Sequence, residues 1–144
     1  MASAKSPARP SASAKLAAAA EFGRSTDPFV RRRALEVAAT LGASAADLLW
    51  NGLLDPDPVV REPAIQLAGA KLPPGRLLEG VASEGNSVLR TACIEALKIK
   101  GAPALPALKK GIHSKDEDVV LFSLQILGSM PEKESVPLLV PFLS

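Results

Sequence analysis

The chain has 144 residues, of which 47% are hydrophobic and 3% aromatic, and it carries a formal net charge of +2. This length fits one domain, whose core must be built from Ala, Leu, Val and Ile because Tyr is absent and there is a single Trp. The single cysteine excludes an internal disulfide and a multi-cysteine metal site, and no apolar run approaches membrane-spanning length. We therefore expect a cytoplasmic protein that does not contact a membrane.

The first part of the chain is basic. Residues 1–33 contain seven Lys and Arg against two acidic residues, a local charge of +5, while the remainder sums to −3. Residues 1–12 are rich in Ser, Pro and Ala, a composition typical of a disordered tail. An Ala-rich helix is predicted over about residues 13–22 and begins a repeat domain that extends over residues 13–144.

A phrase of twelve residues recurs four times after this helix. It reads DPFVRRRALEVA from Asp27, DPVVREPAIQLA from Asp57, NSVLRTACIEAL from Asn86 and DEDVVLFSLQIL from Asp116, at spacings of 30, 29 and 30 residues. The first residue of each phrase is a favoured helix N-cap, and apolar residues then recur with the period of a helix. A fixed period of about 30 residues predicts stacked supersecondary units.

A second helix is predicted between successive phrases, because paired residues recur there in one register. The pairs are Leu48 and Leu49, Leu77 and Leu78, Ala107 and Leu108, and Pro137 and Leu138. Each unit is therefore predicted to be a helical hairpin. The fold class that follows is all-α, an α-solenoid of stacked antiparallel hairpins, with about four hairpins and the first helix of a fifth.

The phrases share one pattern: Asp, two residues, Val-Arg, two residues, Ala, two residues, then a small residue or Leu. A Pro/Ala/Leu helix such as APALPALKKGI follows. This pattern resembles the short bacterial HEAT repeat, the type also seen in phycobilin lyases, over roughly residues 14 to 144. The resemblance is specific for the fold and weak for function, because such repeats serve many tasks.

The resemblance also implies a ladder of polar pairs along the stack. In this ladder an arginine of each phrase pairs with a capping residue of the same or an adjacent unit, and contact with a ligand is the alternative role of these arginines. The ladder ends at the fourth unit, which has Val120 at the arginine position. The ladder residues are Asp27, Arg31, Asp57, Arg61, Asn86, Arg90 and Asp116.

The residues offer no constellation for catalysis. His113 is the only histidine, and no Cys or second His stands at ligand spacing from it. Cys93 occupies a position that the other units fill with Ala or Ser, which predicts buried packing. The acidic residues 116–118 begin a helix, where carboxylates favour the positive end of the helix dipole. We therefore expect no catalytic residue, no metal and no cofactor.

Binding residues are expected on the helices that carry the phrase, because the second helix of each hairpin usually lines the concave face of a solenoid. In the fourth unit the row turns apolar at Val120, Leu121 and Phe122, which neighbouring helices bury or which form a docking patch. Trp50, at a position charged in two other units, is an interface anchor or packs on the Ala-rich hairpin. The candidates in the row are Arg32, Arg33, Glu36, Glu62, Gln66, Thr91, Glu95, Leu121 and Phe122.

The C-terminal stretch over residues 136–144 is apolar nearly all round. It includes Leu139 and Phe142 and has no following helix, so either the chain is cut from a longer array or another chain covers this end. Leu139 and Phe142 are therefore candidates for self-association.

These features favour a non-catalytic scaffold or adaptor that binds another protein. One alternative is an accessory subunit of a bilin-lyase-like enzyme. The other is a phosphate-backbone binder, similar to HEAT-like DNA glycosylases, although the whole chain is not charged like a dedicated nucleic-acid binder. The phosphate contacts would be Arg24, Arg31, Arg32 and Arg33, with the tail residues Lys5, Arg9 and Lys15.

Overall fold

A computed structural model of the protein describes residues 9–142, apart from the side chains of Glu132 and Phe142, and every regular element in this range is helical. The predicted all-α class is therefore confirmed for the described part. Short 3-10 segments lie at Ala39–Ala45, Ala102–Ala104 and Val140–Phe142. The α-helices are α1 (Ala12–Phe22), α2 (Pro28–Ala38), α3 (Ala46–Leu53), α4 (Pro58–Lys71), α5 (Pro74–Val81), α6 (Ser87–Lys100), α7 (Leu105–Gly111), α8 (Glu117–Gly128) and α9 (Glu132–Leu139).

The phrase helices α2, α4, α6 and α8 begin directly after the predicted capping residues. Asp27, Asp57 and Asp116 each accept a hydrogen bond from the backbone N–H two residues later, and Asn86 accepts one from the N–H three residues later. In α2 and α4 the first position is proline, where an N–H would have no partner within the helix. The start of each phrase helix therefore depends on residues next to it in the sequence.

Helix α1 begins at Ala12, with Ser11 accepting from the N–H of Ala14 as its N-cap. The helix thus starts inside the segment that was expected to be a tail, because Ser11 supplies a cap that the Ala-rich pattern by itself does not locate. Residues 1–8, the larger part of that segment, lie outside the described residues.

The helices pack in consecutive pairs: α1 on α2, α3 on α4, α5 on α6 and α7 on α8, with α9 against α8. The phrase helices also contact one another in chain order, α2 with α4, α4 with α6 and α6 with α8. Helix α5 likewise contacts α7. The phrase helices therefore form one row, in which equivalent positions of successive units become neighbours.

Glycines allow the two helices of a pair to approach closely. A Cβ on Gly52 would lie 2.8 Å from the Cβ of Ala64, closer than real side chains come. Helices α3, α5 and α7 each contain a glycine that contacts a small residue of the phrase helix that follows. These contacts mark where the two helices of each pair cross. The pairs are Gly52 with Ala64, Gly80 with Cys93, and Gly111 with Ser123.

The hydrophobic core divides into a larger and a smaller cluster of buried residues. The larger one runs through the units from α2 to α9, and leucine is the most frequent of its buried residues. The smaller one joins α1 to the first unit through the buried residues Ala19, Ala38 and Ala45. Because alanine removes little apolar area from water, helix α1 is held by less hydrophobic energy than the helices that follow.

Candidate functional site

Two neighbouring grooves lie along the row of phrase helices. The α2–α4 groove has a volume of about 530 Å³, and the α4–α6 groove has a volume of about 500 Å³. Glu62 and Gln66 of α4 line both grooves, so the two form one continuous surface across three units. The structure brings six of the predicted residues together on this surface: Arg32, Glu36, Glu62, Gln66, Thr91 and Glu95.

Arg33 does not belong to this surface, although it was predicted in the same row. It lines a groove on the other flank of α2, between α1 and α2. The difference arises because successive residues of a helix point about 100° apart, so Arg32 and Arg33 face different neighbours. Arg33 therefore lies apart from the other residues of the row, and its role in binding a partner stays a prediction.

Ion pairs balance much of the charge at the α2 end of the surface. Glu36 accepts from Arg33 at 2.8 Å and from Arg32 at 3.3 Å. The hydrogen bond from Arg33 is the main cause that lowers the pKa of Glu36; desolvation opposes it and Arg32 reinforces it. Glu36 is therefore an ionised carboxylate that is paired with two arginines. A general acid must carry a proton that it can donate, so this state does not suit that role.

The α4–α6 groove combines polar walls with exposed apolar side chains. Glu62, Thr91 and Glu95 line it together with Val88 and Ile99, which are 48% and 41% exposed. The sequence analysis missed both apolar residues. The exposure of Val88 could have been inferred from the repeat. The third position of a phrase lies outside the buried stripe and is nevertheless apolar in the first three units.

The first arginine of the predicted ladder binds a carboxylate, but not that of a capping residue. Arg31 donates through Nε and Nη2 to Asp55 at 2.8 and 3.0 Å, and through Nη1 to the carbonyl oxygens of Ser25 and Thr26. Asp55 precedes the capping Asp57 by two residues and also accepts from its N–H. The carboxylate thus holds Arg31 and the start of α4 at the same time.

Charge and burial act in opposite directions on this pair. Desolvation is the largest influence on Asp55 and raises the pKa of its carboxyl, but hydrogen bonds from Arg31 and Asp57 outweigh it, and the pKa lies below its ordinary value. The hydrogen bond with Asp55 raises the pKa of the Arg31 guanidinium in turn. Both groups are therefore charged at neutral pH.

In the described part, the other two ladder arginines donate hydrogen bonds only to backbone carbonyls. Arg61 donates to the carbonyl oxygens of Asp55 and Pro56, and Arg90 donates to those of Val81 and Ser83. These carbonyls lie where a helix ends or just beyond, so they have no acceptor role within a helix. The expected pairing with a capping Asp or Asn is thus replaced by capping of the preceding segment, and Arg61 also lines the α4–α6 groove.

The apolar candidates divide between core and surface. Trp50 is half-buried against the core, with Arg76 over its ring at 5.0 Å, and it packs toward α5 instead of the Ala-rich hairpin. Phe122 is half-buried beneath Arg90 at 5.2 Å, whereas Leu121 is 60% exposed. In the fourth unit Phe122 is thus partly covered by its neighbours, whereas a docking patch at Leu121 stays a prediction.

At the C-terminal end, Leu139 is half-buried against the core, while Val136 and Val140 are 44% and 52% exposed. The side chain of Phe142 lies outside the described residues. Self-association through this end stays a prediction.

Cys93 and His113, the single cysteine and the single histidine, lie in different surroundings. Burial of the Cys93 thiol raises its pKa to about 12, so the reactive thiolate is scarce at neutral pH. His113 is exposed in the turn that follows α7. Within residues 9–142, no group of three or more His, Cys, Asp or Glu side chains is arranged to hold a metal ion.

No protein-family model matches the chain, and a search of curated proteins finds no relative. None of the described helices combines the length and the apolar character that a membrane span requires.

Proposed function

We propose that the chain is a non-catalytic binding module, a HEAT-like α-solenoid that holds a segment of another protein along its phrase helices. The observation that carries this proposal is the shared position of Glu62 and Gln66, which line both the α2–α4 and the α4–α6 groove. A surface that continues from unit to unit suits an extended segment of a partner protein. The buried single thiol agrees with a cytoplasmic, reducing setting, which is part of the proposal.

The chemistry of the α4–α6 groove restricts the partner. Val88 and Ile99 offer exposed apolar contacts, while Glu62, Glu95 and Thr91 present acceptors around them. Lys98 contacts Glu95 at 3.5 Å, but Glu62 is exposed beside the groove with its carboxylate available to a donor. The segment that fits places apolar side chains in the groove and Lys or Arg beside Glu62.

A photo-cross-linking side chain introduced at Gln66 or Thr91 tests this proposal. Both positions are exposed in the groove, and Glu79 of α5 is an exposed control on a helix outside the row. In extracts of the source cell we expect the same protein to be cross-linked from Gln66 and Thr91 and not from Glu79. The substitution Glu62→Arg should abolish this product.

Two results would contradict the proposal. One is cross-linking from Glu79 equal to that from the groove positions. The other is a product that persists unchanged in Glu62→Arg while the variant keeps the parent's melting temperature.

The nucleic-acid alternative has less support from the arginines near the N-terminus. Arg31 binds Asp55, and Arg32 and Arg33 both contact Glu36, so their charges are partly balanced within the protein. Duplex binding measured at two salt concentrations separates the alternatives, because a phosphate-backbone binder loses affinity steeply as salt rises.

A further inference from the structure

A third groove lies between α1 and α2, on the flank of α2 that faces away from α4. It has a volume of about 540 Å³, and only two of its lining residues, Lys15 and Arg33, are charged. The others are apolar, and the ones that shape the groove are Ala18, Ala19, Phe22, Phe29, Val30 and Val37.

The aromatic side chains of this α1–α2 groove are unusually exposed. Phe22 is 56% exposed and Phe29 is 67% exposed, and these are two of the four phenylalanines in the chain. Apolar surface of this kind is less favourable in water than when it is buried. A groove with aromatic edges and a floor of small side chains is typical of a surface that another molecule covers.

The repeat indicates the shape of the molecule that would cover it. Val59, Pro63 and Leu67 of α4 face helix α2 across the α2–α4 groove. Thirty residues earlier, α2 presents Phe29, Arg33 and Val37 to the α1–α2 groove. On this flank of α2 the structure contains no phrase helix among residues 9–142. On α4, the equivalent positions pack toward a neighbouring phrase helix, α2. The same positions of α2 therefore offer a place for a helix in the α1–α2 groove.

Backbone hydrogen bonding also favours a helical occupant. Both walls of the groove are helices whose N–H and C=O groups are already paired along their length. An extended peptide on this apolar surface would leave its own backbone groups without partners, which is costly. A helix satisfies those groups internally and needs only an apolar stripe to fill the groove.

The charged side chains at the rim of the groove determine which charge the occupant should carry. Lys15 on α1 and Arg33 on α2 stand on opposite walls, and the described lining contains no acidic side chain. Arg33 contacts Glu36 through Nη1, but its side chain is 78% exposed and keeps further donors for a second carboxylate. We propose that the α1–α2 groove binds an amphipathic helix of a partner protein whose apolar stripe is flanked by Asp or Glu.

This inference goes beyond the proposed function, because it concerns a different surface with the opposite charge preference. The α4–α6 groove favours basic groups, whereas the α1–α2 groove favours acidic ones. A partner of each kind could bind at the same time.

The test uses two fluorescein-labelled synthetic peptides of roughly 16 residues, long enough to form a helix. In both, leucine recurs every three or four residues; glutamate fills the flanking positions of one peptide and lysine those of the other. Fluorescence anisotropy against the full chain should show saturable binding of the glutamate peptide, at least tenfold tighter than that of the lysine peptide. The preference should weaken as salt is raised.

Matched variants assign the site. Phe29→Ala should weaken binding of the glutamate peptide at least tenfold, whereas Leu54→Ala, at an exposed apolar position directly after α3 and outside the groove, should leave it unchanged. Because Phe29 is 67% exposed, its replacement should not alter the melting temperature appreciably. The double substitution Lys15→Glu and Arg33→Glu should reverse the preference so that the lysine peptide binds more tightly.

Other outcomes overturn the proposal. Equal affinity for both peptides, or no affinity for either, rules out an acidic amphipathic helix as the occupant. If the full chain binds neither peptide but sediments with phosphatidylserine vesicles, and if Phe29→Ala does not, the groove contacts a membrane and the proposal is wrong. Concentration-dependent dimers that Phe29→Ala abolishes would make the occupant a second copy of the chain.

Discussion

Replacing Gly80 with alanine is expected to destabilise the protein, because this glycine sits where α5 crosses α6. A Cβ at position 80 would overlap the Sγ of Cys93, lie 3.2 Å from the Cβ of Cys93 and lie 3.0 Å from Cη2 of Trp50. The Cβ of Cys93 is attached to the backbone of α6 and cannot rotate away. The two helices would therefore have to separate.

The size of the effect follows from two opposing contributions. Overpacking a close helix contact costs about 1 to 3 kcal/mol. Alanine in place of glycine within a helix recovers up to about 1 kcal/mol of backbone propensity. Because the new Cβ would meet both the Sγ and the Cβ of Cys93, the overpacking cost should lie in the upper part of this range, about 2 to 3 kcal/mol. The net loss in the free energy of unfolding should then be about 1 to 2 kcal/mol, which corresponds to a fall in melting temperature of about 2 to 8 °C for a chain of this size.

Gly75→Ala is the matched control in the same helix. No atom lies within 4 Å of the Cβ that this substitution would add, so it should be neutral or slightly stabilising. Urea denaturation followed by circular dichroism measures both variants. If Gly80→Ala is as stable as Gly75→Ala, helices α5 and α6 do not cross at this glycine.

A double substitution separates the local contact from a general effect on α5. Cys93→Ala removes the sulfur that the new Cβ would meet, at a cost of about 1 kcal/mol for the lost packing. Combined with Gly80→Ala, it should cost less than the sum of the single variants, by at least about 0.5 kcal/mol. Strict additivity would show that Cys93 is not the group that opposes alanine at position 80.

Further predictions concern single side chains. Ser123→Ala should raise the free energy of unfolding by about 1 kcal/mol in urea melts, because its Oγ is buried without a hydrogen-bond partner among the described residues; an unchanged stability would indicate that a water satisfies this hydroxyl. Because the pKa of Asp55 is lowered in the folded protein, its contribution to stability is present above its unfolded-state pKa of about 3.9 and is lost as the pH falls through its lower folded-state pKa. When the free energy of unfolding is measured at decreasing pH, it should therefore fall less steeply in Asp55→Asn than in the parent. Cys93 should react with a thiol reagent at neutral pH only as fast as the protein opens, since burial raises its pKa to about 12; rapid labelling of the native protein would contradict its buried position. Arg61→Ala should cost about 1 to 3 kcal/mol through unpaired carbonyls, whereas the more exposed Arg32→Ala should stay within about 0.5 kcal/mol, and equal effects of the two would contradict the assigned contacts.

The residues of the candidate surface could be predicted only in part. Arg32, Glu62 and Thr91 share one position in the repeat, so the period was enough to place them on the same row. The exposed apolar residues Val88 and Ile99 were missed, because an apolar residue in a helical sequence is first assigned to the core. The repeat carries a signal for Val88, at the third position of its phrase, but the exposure of Ile99 depends on the spacing between α4 and α6, which no local pattern records.

The sequence by itself determined where the phrase helices begin and which small residues are buried. A cap such as Asp57 acts on an N–H two residues away, and an alanine or cysteine that recurs every 30 residues needs no distant partner to be recognised. Only the tertiary structure decided that Arg31 binds Asp55, that Arg33 faces α1, and that Trp50 lies beneath Arg76. The physical reason is that a long side chain reaches several ångströms across to the next unit, so its partner depends on how neighbouring helices and loops are placed in space.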